Sequence, residues 1–247
     1  MKKIFILYLS VAMFMVGQCF AATATTEVLG GPAAVQSQGD IKNSPYYQAL
    51  DFYHMNSQGS LELLPKFKTL QQNTEFTCGP AAALMVINYL RPELKVTEKE
   101  LSVIMETGMG EIPNAALGTT TKGMVKYFTT KDWLVESSLT NKTPDTDEAF
   151  KRFIVEHLKK NTPIMVENVD WAGHWRVIIG YDDMGTALLN DDVLVMADPY
   201  DTTDHRQDGY NIVPAQRFFY MWFDHSLFPQ EERDKQWLSV QAKRNLH

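Results

Sequence analysis

Cys78 opens the run Cys78-Gly79-Pro80, and an apolar stretch from Ala81 to Leu90 follows it. Proline fits the first turn of a helix, where its missing N–H costs nothing, so Pro80 sets a helix start at or beside the cysteine. Unpaired N–H groups and the positive end of the helix dipole at such a start favour the anionic form of a sulfur placed there. Six positions upstream, the amide of Gln72 can donate to the oxygen of whatever the sulfur attacks. Gly79 leaves room for a substrate backbone to approach. A cysteine in an apolar helix is more often a small buried hydrophobe, so the nucleophile reading needs a base.

Of six histidines, His54, His157, His205, His225 and His247 lie in polar or terminal settings. His174 instead follows Trp171-Ala172-Gly173 and opens the apolar run His174-Trp175-Arg176-Val177-Ile178-Ile179-Gly180-Tyr181. A strand end holds an imidazole rigidly toward a cleft, which suits a general base. Asp198 closes the next apolar run, Asp192 to Ala197. With the two strands paired, its carboxylate reaches one ring nitrogen and leaves the other for the sulfur. An Asp before a Pro is also a common turn former, and Asp182, Asp183 and Asp201 stand close by as alternatives.

The elements that must position these residues follow from local signals. Thr97-Glu98-Lys99-Glu100 is a capping box and starts a helix through about Met105. Gly118-Thr119-Thr120-Thr121 opens another, with Met124, Tyr127 and Phe128 on one face. Trp133 to Leu139 alternates as a strand. Thr146-Asp147-Glu148 caps a third helix ending near Asn161, in which Phe150, Phe153, Ile154 and Leu158 recur at helical spacing. From Pro163 the period changes: three strands (163–169, 174–181, 192–197) with short connections predict an antiparallel meander. Helices first and sheet second is the order of an α+β domain. Pro214 opens a last short helical piece through Trp222, and the polar tail from Pro229 is read as a surface helix.

The 247 residues, 45% of them hydrophobic, are enough for one domain with extensions. Lys2 and Lys3 followed by the apolar stretch Ile4 to Gly17 and small residues at Ala21, Ala22 and Ala24 predict a signal peptide over 1–24, cleaved after Ala21 or Ala24. Its loss takes 23 basic residues to 21 against 30 acidic, a formal charge of −9, which disfavours nucleic acid and anionic membranes as partners. It also removes Cys19, leaving Cys78 as the one cysteine of an exported chain that cannot form an internal disulfide. One Cys with scattered His provides no metal-ligand spacing, so no metal or cofactor is expected.

Taken together, Gln72, Cys78-Gly79-Pro80 before an Ala-rich helix, Gly173-His174-Trp175 leading a strand and Asp198-Pro199 closing the next resemble papain-like cysteine peptidases of the bacteriocin-processing (double-glycine leader) type, over roughly residues 65 to 225. The resemblance implies a papain-like fold and a thiolate–imidazolium pair of Cys78 and His174, with Asp198 orienting the ring. It implies an oxyanion hole made by the Gln72 amide and the Cys78 backbone N–H. Gly79, Trp171, Gly173 and Trp175, flanking nucleophile and base, are the candidate substrate contacts. The domain reading is a signal peptide (1–24), an N-terminal extension (25–64) that could be a removable pro-segment, a peptidase domain (65–228) and a C-terminal tail (229–247). The expected activity is that of a secreted or periplasmic cysteine peptidase acting on a peptide or protein. Two alternatives share the arrangement: a thiol-dependent transpeptidase of the phytochelatin-synthase type, and a non-catalytic peptide-binding domain.

Overall fold

The computed structural model describes residues 30–35, 38–108, 118–170, 172–225 and 230–243. The signal-peptide segment 1–24 and Trp171 lie outside the described residues.

Four helices of the first two thirds begin where the sequence signals them, but not all in the same way. In α2 (Glu98–Ile104) the Thr97 hydroxyl accepts from Glu100 N at 3.2 Å while Glu100 Oε2 accepts from Thr97 N at 2.8 Å. Thr120 caps α3 (Thr121–Thr129) through Gly123 N, and Thr146 caps α4 (Asp147–Lys159) through Ala149 N. These side chains satisfy donors that the first turn leaves without intrahelical partners. The nucleophile helix α1 (Cys78–Leu90) has no side-chain cap: the Thr77 hydroxyl is engaged with Thr74 instead. The N–H end of α1 is therefore open.

Among the described residues the sheet has seven strands: β1 (Leu61–Leu63), β2 (Trp133–Ser137), β3 (Ile164–Val169), β4 (Gly173–Asp182), β5 (Val193–Ala197), β6 (Tyr210–Pro214) and β7 (Gln236–Ala242). Their order is β2-β7-β3-β4-β5-β6 with every pair antiparallel, and β1 adds to β4 beyond the end of β3. The meander β3-β4-β5 is as the sequence reading has it. β4 is the longest of these strands and carries the most pairings; its first residues, Gly173 to Arg176, pair with β3, and β5 joins from Val177 on. The register slips between Ile178 and Gly180. Gly180 sits there because a methyl would lie 2.7 Å from Leu63 Cδ1 and 3.0 Å from Val195 Cβ.

α1 packs on β4 and α2, α3 on β2 and β7, and α4 on β4 and the short α5 (Ala215–Tyr220). Ala81, Ala82 and Ala83 of α1 are fully buried, which lets this helix lie close to the sheet. Phe150 of α4 meets Phe219, Trp222 and Phe218 with ring centroids 5.0, 5.9 and 6.1 Å apart.

Two boundaries drawn from sequence need correction. The tail from residue 229 is not a surface helix: Trp237, Leu238 and Val240 are buried, and β7 lies between β2 and β3. Its polar residues are accommodated because they are bonded, Gln236 Oε1 accepting from Thr121 Oγ1 at 2.6 Å and from Ser138 Oγ at 3.2 Å. The extension 25–64 is likewise not separate from the domain. Leu61–Leu63 is a strand of the sheet, and Gly30 and Gly31 both donate to Asn73 O at 3.0 Å.

Candidate active site

Cys78 is the first residue of α1 and 7% exposed. Thr77 does not cap the helix, and the Cys78 N–H, in its first turn, has no intrahelical acceptor. His174 is the second residue of β4, and Asp198 follows β5 one position beyond the pair Val177–Ala197. The pairing brings His174 Nε2 to 2.7 Å from Asp198 Oδ1. The Cys78 side chain is a second partner of the ring.

Asp198 is buried yet well supplied with donors. Its Oδ1 also accepts from Tyr200 N at 2.8 Å, its Oδ2 accepts from Asn211 Nδ2 of β6 at 2.8 Å, and Arg176 Nη1 stands 3.7 Å from Oδ2. Burial pushes this carboxyl up, but the His174 charge and hydrogen bond, then Arg176 and Tyr200 N, outweigh it and hold it below the usual range. Burial likewise disfavours an imidazolium at His174. The Asp198 charge, the Asp198 hydrogen bond and Cys78 reverse that, raising the ring to about 9.

The two glutamines before the cysteine are used differently. Gln71 spans the turn after β5, its Nε2 donating to Asp198 O and its Oε1 accepting from Asp201 N, both at 3.1 Å. Gln72 is also buried; one Nε2 hydrogen goes to Thr74 O at 2.7 Å, and its Oε1 has no partner. A cavity of about 230 Å³ lined by Asn73, Thr74, Thr77, Glu98, Ser102 and Thr107 opens beside this loop.

Asp182 and Asp183 belong to the far turn of β4, Asp183 paired with Lys151 at 2.8 Å. Asp201 instead fastens its own loop through Thr203 N and Gly209 N.

Two of the expected substrate contacts, Gly79 and Trp175, are packing positions. A methyl on Gly79 would lie 2.7 Å from Thr119 Cβ, and buried Trp175 donates from Nε1 to Thr119 O at 2.8 Å. Both residues thus fit α1 and β4 around Thr119 and present no surface to a ligand. Gly173 faces two buried acids, Asp224 and Glu167. The sequence reading missed Arg176 and Asn211 as partners of Asp198. Arg176 had a signal, a cation two positions from His174 in an apolar strand; Asn211 lies in β6, which was not read as a strand.

The model of the Peptidase_C39 like family matches residues 65–222. Among solved structures, the chain is similar to the peptidase domain of Streptococcus ComA, a bifunctional ABC transporter involved in quorum sensing, at 16% identity and a TM-score of 0.45, covering 72% of this chain and 99% of that one. A search of curated proteins finds no match. Helices packed on an antiparallel sheet, with the matched segment running from before α1 to Trp222, make this chain a member of the Peptidase_C39 like family with the papain-like peptidase fold.

Proposed function

We propose that the protein is a cysteine peptidase that hydrolyses peptide bonds through Cys78, His174 and Asp198, with Gln72 as an oxyanion donor. The reading rests on one observation: the His174 ring is hydrogen-bonded to both Asp198 and Cys78. A ring raised to about 9 is an imidazolium at neutral pH, the partner an anionic sulfur needs. The sulfur attacks the scissile carbonyl carbon, and the carbonyl oxygen becomes an oxyanion received by the Cys78 N–H and the Gln72 amide. As the C–N bond breaks, the imidazolium gives its Nδ1 proton to the departing amine, leaving a thioester on Cys78. Water then attacks the thioester carbonyl while the neutral ring takes its proton; the carboxylic acid leaves and the ion pair is restored. Asp198 holds the ring by Nε2 throughout. The substrate is a peptide or protein met outside the cytoplasm, because residues 1–24 act as a signal peptide.

A peptide-based electrophile tests this. It is expected to label Cys78 in the native protein and to label neither Cys78→Ala nor the unfolded chain at comparable rate. Equal labelling of native and unfolded protein would make Cys78 an ordinary thiol. Product analysis with an added amine or thiol-peptide acceptor separates the routes: free acid alone means hydrolysis, and acceptor-linked product means transfer.

A further inference from the structure

The loop that carries Gln72 is held from outside by the N-terminal segment. Every backbone N–H and carbonyl of Gln72 and Asn73 is bonded. Gln72 N donates to Pro199 O at 2.8 Å, just past Asp198, and Asn73 N donates to Glu98 Oε1 of α2 at 2.9 Å. Residues 30–35 take both carbonyls. Ala33 N donates to Gln72 O at 3.2 Å, and Gly30 N and Gly31 N both donate to Asn73 O at 3.0 Å. Gly31 is buried, and a methyl on it would lie 2.8 Å from Thr74 O and 2.9 Å from Gln72 O. Thr74 O is the atom that accepts from the Gln72 amide. Pro32, also buried, opens a 3-10 turn over Pro32–Val35, and its carbonyl accepts from Gln207 Nε2 at 3.1 Å in the connection between β5 and β6.

We propose that residues 30–35 are a positioning strap for the oxyanion donor, with Gly31 and Ala33 fixing the Gln72 amide through Thr74 O and Gln72 O. This rests on Gln72 being that donor, as in the function proposed above. A preorganised donor works because nothing has to move as the oxyanion forms, and a misplacement of about 1 Å costs about 10²-fold. The strap bonds the donor's loop, so its loss acts on steps that form an oxyanion and not on alkylation of the thiol, which forms none. Cleavage that removed residues 30–35 would thus lower activity, the reverse of what release of a pro-segment does.

The test is a double-mutant cycle on the second-order rate of Cys78 acylation by p-nitrophenyl acetate in the full chain. Cys78→Ala is the blank, and iodoacetamide alkylation is followed in parallel. Gly31→Ala is expected to slow acylation about 10-fold or more and to leave alkylation unchanged. In a Gln72→Ala background the same substitution should add little, because the donor it positions is gone. A merely structural glycine costs the same factor in both backgrounds. Gln207→Ala, which releases Pro32 O without pressing an atom on the loop, should show the same coupling at smaller size, and it decides the matter if Gly31→Ala does not fold. Costs that multiply across the two backgrounds, or wild-type acylation in both strap variants, would overturn the strap while leaving Gln72 as the donor. A Gln72→Ala variant acylated as fast as the wild type would instead remove Gln72 from the site, and the strap's role with it.

Discussion

The first residues of β4 stand between two buried acids whose carboxyls are pushed in opposite directions. Asp198, beyond β5, takes bonds from His174, Tyr200 N and Asn211 and has Arg176 nearby, and it stays ionised. Glu167, on β3, is no more exposed but has another acid for a neighbour, and its carboxyl is pushed well above the usual range. Burial acts the same way on both. What differs is the supply of donors, so in this fold charge is set by the hydrogen-bond partners and not by depth. The adjacent glutamines repeat the contrast without charge: both ends of Gln71 are bonded, whereas Gln72 leaves its Oε1 without a partner.

Removing the donor-rich acid should break the comparison most severely. Asp198→Ala leaves Arg176 and His174 buried without their anion and is expected to cost about 3–5 kcal/mol of stability in denaturant unfolding. Asp198→Asn keeps the shape and one acceptor, so turnover should remain measurable. Its kcat/KM profile should lose activity at lower pH than the wild type, which holds the imidazolium up to about 9 and loses it only above that. An alkaline limb that stays in place would mean the Asp198 charge does not hold the ring.

The neutral pair gives the next effect. Gln72→Ala should slow turnover by about 10²–10³ with thiol alkylation little changed, the usual cost of one lost oxyanion donor. Gln71→Ala should instead act through stability, losing about 1–3 kcal/mol as Asp198 O and Asp201 N are left unmatched. Exchange of these two outcomes would assign the oxyanion to Gln71.

The smallest effect is in linkage, where the two acids have opposite signs. Asp198, depressed below 3.8, stabilises the fold above that value, and the benefit disappears as pH falls through its folded value. Glu167, raised above 4.5, costs stability as pH rises past 4.5, because the unfolded chain ionises before the folded one does. Glu167→Gln should therefore melt higher than wild type at pH 7 and equal to it near pH 4, at about 2–4 °C for each kcal/mol recovered. A variant that melts lower at both pH values would show that Glu167 is charged in the fold.

Much of the scaffold was legible because its signals are local. The Thr97–Glu100 box, the Thr146 cap and Pro80 each act within one helical turn, and the apolar runs of β3 to β5 mark themselves. The meeting of His174 with Asp198 likewise needed only the assumption that neighbouring strands pair. What failed depends on distant partners. Gln236-Trp237-Leu238-Ser239-Val240 reads as a half-polar tail until Thr121 and Ser138, some hundred residues earlier, are found bonding Gln236. Gly79 and Trp175 look like substrate contacts until Thr119 is seen filling the space between them. Glu167, a charge inside Ile164-Met165-Val166-Glu167-Asn168-Val169, has its meaning only through Asp224, 57 positions on.

The placement of β7 carries a cost in time. While the chain is being made, β2 has no partner and β3 is open along one side until Gln236–Ala242 has emerged, more than ninety residues after β2. Unpaired, largely buried strand edges are templates for pairing with other chains. A copy that stops short of Gln236 can already contain Cys78, His174 and Asp198 but offers two raw edges around them. Nonsense mutations upstream of Gln236 should therefore yield aggregates instead of a smaller folded domain.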